Sequence, residues 1–449
     1  PCRLRSASSS LAEGTINYNV KIRFFLILLT IIIIISLFLK FNFLNSKEYL
    51  FNKLSIKTKV ILRNIKNNSS SGHKLTHIFK NFFNDYNVKF LPETQLINLN
   101  YETKKIIFDK SFELTNGKIE YITKRSDSEQ THFFSFYIET YKNDLILSDY
   151  TGNFYILDHD ELQSTKKKLA PIKIDSNLKA EKILDTFVFN DELFVSFSNS
   201  NNKCYNWNIS RAKINNEKLN FKKIYSSDEC SRQNYYQPHG GRIQQYKYDG
   251  SDGVLFTVGE NDDTPQPEDS IIGKILFISL DGSQIFEFSK GHRNPQGLLV
   301  YNQTILSTEH GPRGGDEINK IEFQKNYGWP KASYGEPYGP KNDKPIFFKE
   351  HKKYGFKEPL YVFSKAIGIS ELTHVPNKFS SFWVDNFLIS SLWGQSIYRM
   401  KFDDNFEKTI FFEKIYIGQR IRDIKYHNKL NAVLLALEEK GEIGIITNK

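Results

Sequence analysis

Downstream of about residue 130 the chain alternates short apolar runs with polar turns. HFFSFYIETYKNDLILSDYTGNFYILD (132–158), ILDTFVFNDELFVSFSNSNNKCYNWNI (183–209) and RIQQYKYDGSDGVLFTVGEND (242–262) show the pattern. It returns in LLVYNQTILSTEHG (298–311), WVDNFLISSLWGQSIYRMKF (383–402) and IRDIKYHNKLNAVLLALEEKGEIGIITN (421–448). Asn143-Asp144, Asn190-Asp191, Asn302-Gln303 and His427-Asn428 occupy matching places before an apolar run, where turn-forming side chains reverse the chain. Recurrence every ~50 residues is the spacing of propeller blades, each an antiparallel sheet too small to be stable alone. The pattern predicts an all-β ring. Closing it requires an N-terminal strand, placed within Thr103–Ile122, to join the last blade.

The first hundred residues follow a different pattern. Residues 1–20 are polar and serine-rich and read as a disordered N-terminus. Lys21, Ile22 and Arg23 then lead into FFLILLTIIIIISLFLKFNFL (24–44), whose core Phe24–Leu39 is slightly short of a bilayer span until Phe41–Leu44 is added, with Lys40 snorkelling. A cleaved signal peptide is the competing reading. The length of the apolar stretch and the lack of a small-x-small site after Leu39 favour an uncleaved transmembrane anchor over 21–45. Basic residues stand on both sides, so local charge does not orient it. Residues 46–95, with KVILRNI (59–65) as a short helix and NNSSSG (67–72) as a break, read as a stalk, leaving 96–449 for the propeller.

Composition agrees with a pleated body: Phe is 37 and Tyr 24, against a single Met. The formal charge is +10, from Lys+Arg 61 against Asp+Glu 51, but the cations do not cluster beside any nucleic-acid motif, so nucleic acid is not expected as a partner. Cys2 has no evident partner. Cys204 and Cys230 suit a disulfide closing one hairpin in an oxidising compartment, with two unrelated thiols as the alternative.

The chemistry concentrates in GHRNPQGLLVYNQTILSTEHGPRGGDEINKIEFQKNYGWP (291–330). The apolar run Leu298–Leu306 has the length of one buried β-strand, with polar loops His292–Gln296 and Glu309–Asp316 at its ends. Arg293, Asn294, Glu309, His310 and Asp316 are too polar a set for a mere turn, and Gly311, Gly314 and Gly315 let backbone groups face a ligand. Upstream, His239 precedes two glycines at the opening of a strand; it reads either as a proton acceptor near neutral pH or as a turn histidine. Downstream, Arg420 and Arg422 point the same way if their segment is extended, which requires an anion between them: a ligand, or Glu413, Asp423 or another acid.

The loops HRNPQG, EHGPRGGDEIN and NYGWP, with HGGR (239–242) and GQRIRD (418–423), closely resemble those of the soluble quinoprotein aldose and glucose/sorbosone dehydrogenases, from about His239 to the C-terminus. The resemblance implies a six-bladed β-propeller that holds pyrroloquinoline quinone (PQQ) and Ca2+. It implies that His239 is the base that takes the proton of the anomeric hydroxyl of an aldose as hydride passes from C1 to PQQ, giving a lactone. It implies that Arg293, Asn294, Arg420 and Arg422 contact PQQ, that the Gly311 and Pro312 carbonyls hold the active-site calcium, and that Glu317 and the Tyr327 carbonyl serve a structural calcium. A quinone or small redox protein would then take the electrons. With the membrane segment, it implies a single-pass cell-membrane protein with its propeller outside the cytoplasm, in the periplasm of a bacterium. Three positions depart from the family pattern: Trp393 stands where a PQQ-contacting lysine is expected, no early QGGL-type glutamine occurs between Leu147 and Leu184, and Pro238 replaces an acid. These departures sustain two alternatives, a non-catalytic propeller that binds a glycan or protein through its axial loops, and a calcium-dependent hydrolase of the lactonase kind.

Overall fold

The structure is a computed structural model that describes residues 99–108, 135–163, 166–201, 204–231, 240–259, 268–338 and 346–448. The expected disordered start, membrane anchor and stalk lie outside the described residues. Among those described, no helix is long and apolar enough to cross a membrane.

Six sheets form the ring, antiparallel except for one parallel edge strand in the last. Blade 1 has strands Phe136–Tyr141, Asp144–Asp149 and Phe154–Leu157. Blade 2 runs from Lys182–Phe189 through Glu192–Asn201 and Cys204–Lys213 to Lys222–Ser231. Blade 3 comprises Gly240–Tyr248, Ser251–Val258, Lys274–Ser279 and Ile285–Lys290. Blade 4 comprises Pro295–Tyr301, Thr304–Glu309, Asp316–Ile321 and Tyr361–Phe363. Blade 5 comprises Ile369–Val375, Asn386–Ser391, Ser396–Phe402 and Thr409–Tyr416. In blade 6, Ile421–His427, Ala432–Leu437 and Glu442–Asn448 are joined by Leu99–Phe108. The first strand of each blade touches the first strand of the next, and the last touches the first.

The blades pack face to face because a single blade cannot cover its own apolar faces. Alternation along each strand sends neighbouring side chains to opposite neighbours. In blade 1, Ile138, Leu145 and Leu147 meet Leu434 and Ala436 of blade 6, while Tyr137 and Ile146 meet Val195 and Phe197 of blade 2. One apolar cluster fills each of the six junctions.

The ring closes as expected, by an N-terminal strand, displaced slightly from its predicted place. Leu99–Phe108 pairs antiparallel with the last strand in a register from Leu99↔Asn448 to Lys105↔Glu442. Lys166–Leu169 then adds in parallel outside it, so the chain leaving blade 1 finishes the edge of blade 6 and leaves blade 1 with three strands.

The structure corrects the reading of Leu298–Leu306 as one strand. Pro295–Tyr301 and Thr304–Glu309 are two strands of a hairpin, turned at Asn302 and Gln303, whose φ of 46° and 68° fit a tight strand-to-strand turn. A single strand would have held the two polar loops at opposite ends. The hairpin returns them to the same end. Cys204 and Cys230 are bonded, with Cα atoms 5.4 Å apart, across the outer strands of blade 2.

Candidate functional site

The segments entering the first strands and the turns between second and third strands lie at one mouth of the ring. In blade 4 these are His292–Asn294 and Gly311–Gly315. Glu309 ties them together: its Oε1 accepts the Arg293 N–H, and its Oε2 lies 3.1 Å from His292 Nδ1. His292 is fully buried, stacks on Tyr327, and places Nε2 2.9 Å from Ser289 Oγ. With its proton on Nδ1, the imidazole donates to Glu309 and accepts from the Ser289 hydroxyl. Arg293 is thereby fixed at its backbone. Its guanidinium lies over the buried Trp329 ring, 5.3 Å from the centroid, with Tyr338 at 5.9 Å.

Asp316 anchors the glycine-rich turn. Its Oδ1 accepts from Gly311 N at 3.1 Å, and its Oδ2 from Ile367 N and Ile369 N at 2.8 and 3.2 Å. Gly315 has φ of 68°, and a Cβ there would collide with the Gly335 backbone. The two carbonyls assigned to calcium by resemblance both accept hydrogen bonds: Gly311 O from Arg293 Nη1 at 3.1 Å, and Pro312 O from the Tyr338 hydroxyl at 2.7 Å. Each oxygen has a second lone pair, so both can still turn toward a hard cation.

Behind this turn is a cavity of about 10 Å3, lined by Glu309, Glu317, Tyr327 and Gly311 among others. That volume admits one water or one monoatomic ion. Burial, and next the neighbouring Glu309, push the Glu317 carboxyl well above its ordinary range. A buried carboxyl crowded by other acids suits a divalent cation. The residues therefore fit the structural calcium site that the resemblance assigns to Glu317 and Tyr327.

Arg420 and Arg422 do point together, and the acid between them is Glu438. Glu413 pairs with Arg399 instead, and Asp423 accepts the Ile138 and Ile424 backbone N–H groups. Glu438 is fully buried in the turn after Ala432–Leu437. Its Oε1 takes Arg420 Nε at 2.6 Å; its Oε2 takes Arg422 Nε at 2.8 Å and the Ser135 hydroxyl at 2.9 Å. Burial alone would raise its carboxyl, but Arg422 and Arg420 outweigh that and hold it at about 2.

A hydrogen-bonded line crosses the mouth. Arg422 Nη1 lies 3.4 Å from Gln296 Oε1, Gln296 Nε2 donates to Asn294 Oδ1 at 2.9 Å, and the same oxygen accepts from Gly240 N at 3.2 Å. Arg422, Asn294 and the residue following His239 thus belong to one network, although they are far apart in sequence. His239 itself lies outside the described residues. Trp393, in the corresponding turn of blade 5, is 52% exposed.

Beneath the mouth, the axis is filled by ions. Arg242 Nη1 lies 3.0 Å from Asp185 and 2.9 Å from Glu371, and Lys425 lies 2.6 Å from Glu139. With Asp423, two cations face four carboxyls. Burial raises Glu371 to about 7 and Glu139 to about 8, so protons offset the excess negative charge. In the sequence Asp423 enters only as an acid for Arg420 and Arg422 and His292 only as the start of a loop; the other axial residues and Glu438 are absent from the sequence-based site. A signal existed: the first strands FYIETY, KILDTF and ISELTH each carry one carboxylate directly beside an apolar side chain.

Comparison with known proteins gives the family and the fold. A family model described as Glucose / Sorbosone dehydrogenase matches residues 139–445. The chain is 29% identical over 223 residues to the aldose sugar dehydrogenase YliI of Escherichia coli (strain K12), covering 45% of this chain and 58% of that enzyme. Its fold is similar to the apo-form soluble aldose sugar dehydrogenase of Escherichia coli, with TM-score 0.59 and 20% identity over 78% of this chain and 100% of that one. It is also similar to the PQQ-bound aldose sugar dehydrogenase of Streptomyces coelicolor, with TM-score 0.52 and 16% identity over 79% and 100% of the two chains.

Proposed function

We propose that this chain, which belongs to the glucose/sorbosone dehydrogenase family, is a PQQ-dependent dehydrogenase that oxidises the C1 hydroxyl of an aldose to a lactone. The observation that supports the reading is the line from Arg422 through Gln296 and Asn294 to Gly240, the residue that follows His239 in the chain.

Arg420, Arg422, Arg293 and Asn294 would hold PQQ, a flat molecule with three carboxylates, through forked and amide donors. When bound, it supplies a two-electron hydride acceptor. His239 would remove the proton of the anomeric hydroxyl, and Arg293 offers a fixed cation where negative charge develops. The buried Trp329 ring lies against that cation. Ca2+ would sit against the Gly311 and Pro312 carbonyls, with a second ion in the Glu309–Glu317 cavity. The electrons then pass to a quinone or small redox protein. We place the propeller outside the cytoplasm on the 21–45 anchor, a placement supported by the Cys204–Cys230 disulfide.

Reconstitution of the full chain with PQQ and Ca2+ tests the reading. A change in PQQ absorbance at micromolar concentration, with dye reduction on adding aldoses, is expected; no bound quinone ends it. Trp393 in place of the family's lysine favours a second reading, a non-catalytic glycan-binding propeller. Glycan binding that survives His239→Ala, with no dye reduction in the parent protein, would establish that one.

A further inference from the structure

We infer that Glu438 is a positioning residue that sets Arg420 and Arg422 as a rigid pair for an anionic ligand, an inference that rests on the PQQ reading of this mouth. Two guanidiniums two residues apart on an extended segment repel each other and lose much rotamer freedom when held still. Glu438 answers both costs from one side. Its two oxygens take the two Nε–H groups separately, at 2.6 and 2.8 Å, so each guanidinium is fixed by the edge nearest its own stem. The Ser135 hydroxyl and the Glu438 N–H bond to the Arg420 carbonyl, at 2.9 and 3.1 Å, fix the carboxylate in turn, between blades 6 and 1. The trio carries a net charge of +1, since its two arginines exceed its one carboxylate. With the carboxyl held at about 2, it stays ionised throughout the neutral range.

Two physical effects of Glu438 on anion binding have opposite signs, which makes the inference testable. As a mere neutralising charge, Glu438 weakens the field at the mouth, and its removal tightens an anion. As a positioning group, it presets the forks, and its removal loosens the anion. Glutamine cannot replace it in the second role, because its single acceptor oxygen serves one arginine while its NH2 faces the donors of the other.

The experiment titrates PQQ, and separately its uncharged trimethyl ester, into the Ca2+-supplemented full chain, with absorbance as the readout, for the parent protein, Glu438→Gln and Glu438→Asp. Thermal unfolding of the unliganded proteins shows that the variants fold. We expect Glu438→Gln to weaken PQQ at least tenfold while changing the ester less than about twofold, and Glu438→Asp, which keeps the charge and both acceptors, to recover most of the loss. A general structural defect would weaken acid and ester alike, and that result overturns the inference, as does unchanged or tighter PQQ binding by Glu438→Gln. Either leaves the PQQ reading standing, because the parent still binds. A parent protein that takes up no PQQ overturns both.

Discussion

Glu309 shows how one carboxylate can organise a site without facing the ligand. It takes the backbone of one arginine and the ring of a buried histidine, and it also lines the ion-sized cavity. Glu309→Ala would strand the Arg293 N–H and the His292 ring, at about 1–3 kcal/mol for each stranded group. The expected outcome is a lower unfolding midpoint together with weaker PQQ uptake, measured by denaturant titration and by absorbance. Residues of this kind were only half legible. Arg293, Asn294, Gly311 and Asp316 announce themselves because polar and glycine residues crowd an otherwise apolar stretch. Glu438 does not, since LALEEKGE reads as an ordinary charged turn until folding brings it against Arg420 and Arg422.

At the scale of elements, alternation and turn residues disclosed the blades, whereas one hairpin was mistaken for a strand. Leu298–Leu306 is apolar on both sides of its turn because both strands are buried between blades, so burial hid the reversal that Asn302-Gln303 makes. The disulfide has a definite task in this setting. It crosses the outer strands of blade 2, where a register shift between Ser226 and Cys230 interrupts the ladder. For residues 26 apart, the chain-entropy relation gives about 3.5 kcal/mol. Replacing both cysteines by serine should lower the unfolding midpoint, and adding reductant to the parent protein should reproduce the shift.

For the whole molecule, the ion-filled axis makes stability depend on pH. Glu139 and Glu371 titrate at about 8 and 7 in the folded ring, above the ordinary carboxyl value of 4.5, so the folded state holds the extra protons. Their contribution is complete below about pH 4.5 and is lost as pH rises through 7 to 8. The melting temperature should therefore fall between pH 5 and 8, and Glu139→Gln with Glu371→Gln should flatten that slope in calorimetric scans. Glu438 acts in the opposite sense, contributing fully above the ordinary carboxyl range and losing that contribution progressively as pH falls from about 4.5 to about 2.

The seam between Leu99–Phe108 and the last strand also fixes an address. Leu99 pairs with Asn448, beside the turn that follows His427, on the underside away from the arginines. Leu99 therefore starts its strand on the face opposite the arginine-bearing mouth. A label attached at Leu99 would lie on that far face, clear of the opening that Arg420 and Arg422 line.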